Sequence, residues 1–484
     1  MDRNWETGGL YQPLSDKQVD AIHRAALTIL KDTGLSYTAD QKNLISRLKR
    51  AGATIDDENG CIKFEEDLVA EALSKAPAKV VLYSRDGDRD LKLFGDRVHF
   101  GTGGTTTSII DIDPGECRPS TLQDIFQIAR LTENLKHIDL FVRPCTPMEI
   151  APHNYDVNIA YAALKGTRKH VMLGIFDDEC LTDVIDIASL VAGGFEKLQE
   201  KPFLSFYTSF SISPLQQSYK PTKILCDVVE KRLPISISGV PMAGSTGPVT
   251  MAGNLTLMHA EVVAGITISQ LISPGAPVLY GGFGARADMQ TAAFLVGAIE
   301  CGMMNAAVHQ LAKHIGVPNC SSCGMSESKI PDSQASWEIA MLILSAAMGG
   351  SNLIRHAAGG VLEAGMSLSL EQIVMNDEMI GMARRLLKGI TVDDEHIGLD
   401  LIKEVGPGGT FLTTAHTFEH MRSEYFYGNG VTNRSHHEKW LSDGAQDARS
   451  QAKEIAQAIL SSTSPQLITE NVGRKIREKY AIAV

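Results

Sequence analysis

The chain has 484 residues, 44% of them hydrophobic, which is enough for a large buried core and exceeds one average domain. Its formal net charge of −12 excludes a nucleic-acid surface as the main function and fits a dissolved acidic protein. The opening "MDRNWETGGLYQ" shows no basic and apolar leader, so the eight cysteines are expected as reduced thiols and the expected location is the cytoplasm.

The first signalled element is "LSDKQVDAIHRAALTILKDTG", in which Ser15 and Gln18 form a capping box and Gly34 supplies the stop. Val19, Ile22, Ala26, Ile29 and Leu30 make one apolar stripe, as a helix lying on a core requires. Helical patterns follow near 41–52 and 64–76, and "VVLYSRDGDRDLKLF" reads as a hairpin turning at Asp86 and Gly87. Residues 1–95 are thus expected to form a mostly helical N-terminal segment with a hairpin.

From 96 to 390 short β-rich runs alternate with longer helical patterns. The runs are 98–103, 140–144, 170–175, 203–208, 234–239, 278–283, 318–323 and 352–357; the helices are 121–136, 155–166, 178–194, 216–231, 249–272, 290–315, 332–348 and 370–388. Alternation of this kind implies parallel strands joined by right-handed crossovers, and eight units predict a closed (β/α)8 TIM barrel of the α/β class. An open doubly wound sheet is the competing reading, but its glycine fingerprint at the first turn is missing. The apolar pattern 249–272 carries His259 and Glu261, so it is expected as a buried helix and not as a membrane span. Residues 391–484 read as a polar C-terminal helical extension.

In a (β/α)8 barrel, chemistry sits where the strands end and the following loops begin. The stretch 244–253 has glycines but no basic residue, so it lacks the lysine of a phosphate-binding loop. The remaining use of glycine is removal of bulk, and Gly103, Gly104, Gly244, Ser245, Thr246 and Gly247 are read as a rim that a large flat ligand can approach. Phe176, Tyr207, Phe210 and Phe283 supply aromatic faces, and Asp288 and Glu327 supply carboxylates. Together these form a receptor for a quaternary ammonium. Arg286, Lys329 and His356 are the expected holders of a substrate carboxylate. Cys320 and Cys323 have C-x-x-C spacing without a matching second pair, and His416 and His420 are four apart in "HTFEH" without the glutamate of a zinc protease, so no metal site is expected.

The stretches "GSTGPVTMAGNLTLMHAEVVAGITISQLISPGAPVLYGG", "SESKIPDSQASWE", "GITVDDEHIGLDLIKEVGPGGTFL" and "HTFEHMRSEYF" resemble the trimethylamine methyltransferase superfamily, and the likeness covers roughly 15–465. The resemblance implies a barrel enzyme that moves a methyl group from a methylamine to a cobalt corrinoid (vitamin B12-type) on a separate small protein. It also implies a homo-oligomer. The chain holds only standard residues and so resembles the branch without pyrrolysine. That branch implies a quaternary amine such as glycine betaine, proline betaine or carnitine as donor, and the small-residue rim would face the corrin ring. No catalytic residue is carried over. "DDEHIG" places Asp394 and His396 as in a corrinoid-binding D-x-H-x-x-G, but Leu399 stands where glycine is required, so the corrinoid is expected on the partner and no cofactor on this chain. Methyl transfer from a quaternary ammonium to Co(I) needs no proton shuttle, consistent with a site lacking a recognisable triad. The alternatives are a zinc-assisted methyltransferase using Cys320 and Cys323, and a non-catalytic barrel that binds small cations.

Overall fold

The computed structural model describes residues 6–113, 115–463 and 465–483. Its centre is a sheet of eight parallel strands: β1 (His99–Phe100), β2 (Leu140–Val142), β3 (His170–Leu173), β4 (Leu204–Thr208), β5 (Ile235–Gly239), β6 (Val278–Gly282), β7 (Asn319–Ser322) and β8 (Leu353–Arg355). Neighbours in sequence are neighbours in space, from Val171 beside Phe141 to Ile354 beside Ser321. The sheet closes on itself where β8 pairs with β1, Leu353 opposite His99, and where Gly101 bridges to Leu140 at the start of β2. Every strand run read from the sequence contains one of these strands.

Each strand is followed by its helix: α1 (Leu122–Asn134), α2 (Tyr155–Gly166), α3 (Leu181–Ala192), α4 (Tyr219–Glu230), α5 (Met251–Ile272), α6 (Ile299–His314), α7 (Ser333–Gly349) and α8 (Leu370–Lys388). Local chemistry sets their starts. The Thr121 hydroxyl accepts from the Asp124 amide while the Asp124 carboxylate accepts from the Thr121 amide, and Asp332 accepts from Ala335 to open α7. Helix α5 is apolar all round because it is buried on most of its circumference, between the barrel wall and the N-terminal helix Asp16–Asp32. That helix begins with the expected capping box and buries Val19, Ile22, Ala26 and Leu30.

The two ends of the barrel differ in chemistry. The hairpin Val80–Leu82 and Leu91–Leu93 inserts Val80, Leu82, Leu91 and Leu93 among Leu140, Val142, Met172, Leu279, Cys320 and Leu353, the inward side chains of the wall. This apolar plug lies at the amino ends of the strands, where the Tyr83 amide donates to the Pro202 carbonyl just before β4. At the carboxyl ends the loops carry small sheets of their own. One joins Met242–Ala243 with Ala285–Ala287 and Phe294–Leu295; another joins Ser108–Ile110 and Cys117–Pro119 with Val361–Leu362 and Ser367–Ser369.

Beyond α8 the chain is helical again. The helix Ala448–Ser461 packs on α8 and α1, and Arg130 donates to the carbonyls of Ile459 and Leu460 at 3.0 and 2.8 Å. The helix Glu470–Lys479 packs on α3, with Lys479 paired to Asp186 at 2.9 Å. The intervening helices Asp394–Ile397, Leu399–Val405 and Ala415–Glu424 bury none of their residues.

The hairpin plug makes a direct prediction. Leu91→Ala empties a fully enclosed position at the closed end of the barrel and is expected to cost about 2–5 kcal/mol of stability, read from the urea midpoint at an unchanged slope.

Candidate functional site at the carboxyl ends of the strands

The mouth opposite the plug is built around two arginines. In β8, Leu353 faces the barrel interior and Ile354 the helical layer, so the next residue, Arg355, turns inward again. Its guanidinium donates through Nε to the Ser322 hydroxyl on β7 and through Nη2 to the Ser238 hydroxyl on β5 at 3.2 Å, and its Cζ lies 4.9 Å from the centre of the Tyr207 ring. Arg143 follows β2. Its Nη1 donates to the Gly174 carbonyl at 2.9 Å, and its Cζ sits 4.1 Å from the Phe176 ring centre and 5.8 Å from that of Tyr207. Tyr207 lies across the end of β3 only because residue 174 is glycine: a Cβ there would fall 2.7 Å from the ring.

Both arginines are buried, at 4% and 5% exposure. Neither has a carboxylate within ion-pair distance among the described residues, and the Arg143 Nε is buried without a hydrogen-bond partner. Asp156 lies within electrostatic reach of Arg143, but its carboxylate is occupied by the backbone amides of Phe176 and Asp177 at 3.0–3.1 Å.

His356 follows Arg355 directly. It has a left-handed backbone, φ +73°, which a non-glycine residue adopts only when its surroundings hold it there. Its amide donates to the Thr102 carbonyl at 2.9 Å, its ring centre is 6.0 Å from that of Phe283, and Phe283 in turn meets Phe294 edge-on at 6.0 Å. Burial, reinforced by the neighbouring Arg355, pushes its imidazole down to about 3, and Nδ1 is buried without a partner among the described residues. The ring is therefore neutral at any pH near 7.

Of the residues read from the sequence, Phe176, Tyr207, Phe283 and His356 are gathered at this mouth. Phe210 is not. Past the end of β4 its ring turns outward into the core, fully buried against Ile237 and α5 where Gly265 leaves room for it. Glu327 accepts from the amides of Val296 and Gly297 at 2.6 and 2.7 Å and so ties down the loop before α6. Lys329 is exposed and donates to the Glu327 carbonyl. Asp288 closes its own turn through Gln290 and Thr291, and these hydrogen bonds hold its carboxyl below the usual range. Arg286 pairs with Glu300 at 3.3 Å and lines a cavity of about 520 Å³ with Val249, Met251, Met289 and Met304. The carboxylate holders expected at Arg286 and Lys329 thus lie away from the buried arginines.

The rim glycines divide in the same way. Gly103 and Gly104 are buried, and a Cβ on them would lie 2.8 Å from the His356 ring and 2.3 Å from the Pro144 carbonyl. Their small size serves the packing of the chain on itself, so they offer no open face to a flat ligand. The turn at Gly244–Gly247 does reach the surface. It is closed by the Gly244 amide on the Gly247 carbonyl and by the Met242 amide on the Thr246 hydroxyl, with Ser245 and Thr246 exposed.

Cys320 points into the barrel interior, whereas the Cys323 thiol points outward and donates to the Leu342 carbonyl of α7. Two thiols on opposite sides of the wall cannot share a zinc ion. His396 serves as a local contact for its helix-capping neighbour Asp393 at 2.7 Å, and Gly398 at φ +61° ends that turn. His416 and His420 stack beside it, with His420 paired to Glu395.

Arg143 and Arg355 are not among the residues that the sequence patterns single out. Strand parity carries a signal for Arg355, two residues after the inward Leu353. Nothing local marks Arg143, whose side chain reaches the mouth over the end of a neighbouring strand.

Residues 4–481 match the family described as trimethylamine methyltransferase (MTTB). The chain is 35% identical over 463 residues to the trimethylamine methyltransferase MttB of Desulfitobacterium hafniense, covering 96% of this chain and 92% of that one. It is 31% identical over 468 residues to a glycine betaine methyltransferase from the same species, covering 96% of each. The crystal structure of the Methanosarcina barkeri monomethylamine methyltransferase is 12% identical, superposes with a TM-score of 0.51 and covers 92% of this chain and 91% of that one, which shows a common fold.

The neutral imidazoles set an acid limit. His99 and His170 are pushed down to about 4, and His356 to about 3, each chiefly by burial. Below pH 6.5 the unfolded chain takes up protons that the folded chain refuses, so stability falls as pH drops from about 6.5 towards those values. His356→Asn, which suits the left-handed backbone, is expected to lose about 2 kcal/mol less between pH 7 and pH 4.5 than the parent, measured by urea unfolding.

Proposed function

We propose that this chain, which belongs to the trimethylamine methyltransferase family, takes a methyl group from a quaternary amine and delivers it to the Co(I) corrinoid of a separate protein. That it is a methyltransferase follows from the family; the donor and the acceptor are the proposal. The relatives act, by name, on trimethylamine and on glycine betaine. In the proposed reaction the bond between nitrogen and a methyl carbon breaks with its electron pair left on nitrogen. The carbon takes an electron pair from Co(I), so a neutral tertiary amine and methyl-Co(III) form without proton transfer. The protein's task is then to hold the donor in line with cobalt and to exclude water. A neutral His356 and the ring of Phe283 suit that task, because they offer a permanent cation polarisable faces without adding positive charge.

The observation that carries the acceptor is the rim. Seven of the eight loops that follow the strands expose a large apolar side chain: Met148, Phe176, Ile212, Val249, Met289, Ile330 and Met366, after β2 to β8 in turn. Apolar side chains distributed around one face, at 41–65% exposure, mark a surface that another macromolecule covers. The turn at Gly244–Gly247 and the cavity beside Arg286 lie on the same rim. The C-terminal arm, with Ile390, Leu412, Phe418 and Tyr425 exposed, supports self-association into a homo-oligomer, and a cytoplasmic location completes the proposal.

Mixing the protein with a reduced corrinoid protein and a panel of quaternary amines is expected to yield methyl-Co(III) absorbance; binding of an amine without that signal would favour a barrel that only binds small cations. Met289→Asp together with Val249→Asp is expected to slow transfer to the corrinoid protein at least tenfold while leaving amine binding, read by calorimetry, unchanged.

A further inference from the structure

A second cavity lies far from the mouth, on the outer flank of the barrel near the start of β4. It measures about 510 Å³, a size that suits a small organic molecule. Phe203, just before β4, and Val191 and Ala192, at the end of α3, give it an apolar wall. Leu467, Ile468 and Val472 of the C-terminal segment give it another. Four cations line the same cleft, Arg85, Arg168, Lys197 and Lys201, against a single carboxylate, Asp86. In a chain with a net charge of −12 this is a local inversion of sign.

The acids nearby are already shared. Arg89 and Arg168 both pair with Glu133, at 3.0 and 3.3 Å, and both reach Asp86. Arg85, Lys197 and Lys201 have no carboxylate at ion-pair distance among the described residues. Arg85 is fixed by the carbonyls of Leu164 at 2.6 Å, Leu467 at 3.2 Å and Thr167, and its Nε is enclosed without a partner among the described residues. Lys197 lies over the end of α3, its Nζ 3.6 Å from where a Cβ on Gly193 would stand, a place that suits a cation in its own right. Lys201 has no such support: its ammonium has no hydrogen-bond partner among the described residues. The helix Glu470–Lys479 opens at the edge of the cleft. Its N-cap Thr469 makes no side-chain cap, and the amides of Glu470, Asn471 and Val472 have no acceptor among the described residues. The Glu470 carboxylate is drawn off to Arg477 at 3.1 Å.

We infer that this cleft is a binding site for a small phosphate ester, with the phosphoryl group among the four cations and the organic body on Phe203 and the apolar walls. A phosphoryl group has three acceptor oxygens and close to two negative charges, so it can use donors that arrive from several segments at once; a carboxylate has two oxygens and one charge. The free amides at the start of the C-terminal helix add to the same preference. The apolar walls would be left wet by a bare anion, and an ester covers them. The site is separate from the mouth and independent of the methyl donor and acceptor. A ligand there touches the hairpin, the barrel wall and the C-terminal helix together, so it stabilises the folded chain.

The test is calorimetry on the full-length protein at an ionic strength fixed with KCl. The probes are inorganic phosphate, glycerol 3-phosphate, adenosine 5′-monophosphate and adenosine. At least one ester is expected to bind more tightly than inorganic phosphate and to raise the urea midpoint, and adenosine is expected not to bind. Lys197→Gln combined with Lys201→Gln is expected to weaken the accepted ester by roughly tenfold or more. Both side chains are exposed, so the variant is expected to keep the parent's urea midpoint when no ligand is present. No binding by any phosphate probe would overturn the site, and so would ester binding that the double variant leaves unchanged. Adenosine bound as tightly as its monophosphate would overturn the role of the cations, and inorganic phosphate bound as tightly as both esters would overturn the assignment to an ester.

Discussion

Two guanidinium charges that the fold buries without an acid at ion-pair distance among the described residues are the constraint around which the mouth of this barrel is arranged. Ser238 and Ser322 sit at the ends of β5 and β7, where their hydroxyls can meet Arg355. Gly174 clears the space that lets Tyr207 lie beneath both arginines, and Asp156, within electrostatic reach of Arg143, accepts from two backbone amides. An apolar residue at either arginine position would be simpler to bury, so the arrangement makes physical sense as one that a ligand completes.

The barrel separates stability from function along its axis. Its amino end is sealed by hairpin leucines and valines packed on the inward side chains of the strands, a contact that needs only shape and hydrophobicity. Its carboxyl end is polar within and apolar around the rim. The strained backbone of His356 lies there, held by the Thr102 carbonyl and by the absence of a side chain at Gly103. Strain, uncompensated charge and exposed apolar surface at one end, with a saturated core at the other, is the distribution expected of an enzyme whose substrates arrive from one side.

The backbone course was largely legible in the sequence. Alternating runs placed all eight strands, and α2 and α8 fall on the expected residues, because hydrophobic period and turn chemistry are local properties. The site was legible only in part. Tyr207, Phe283 and His356, reached by counting residues past the strand ends, do lie together at the mouth. Phe210, one more step along the same loop, was misread because the chain turns outward after β4 and hands that ring to the core. Glu327 was misread because its partners are backbone amides 30 residues away, which no side-chain pattern announces.

The sequence by itself determined the number and order of the βα units, the apolar faces that wrap them, and membership of a family of methyltransferases, since these depend on patterns read along the chain. Only the tertiary structure decided which polar residues share a space: that Arg143 crosses the end of β3 to join Arg355, that Cys320 and Cys323 face opposite ways, and that Gly103 serves packing while the turn at Gly244–Gly247 serves the rim. The physical reason is that closing eight strands into a ring brings together residues more than 200 positions apart, and the electrostatic character of the mouth arises only from that closure.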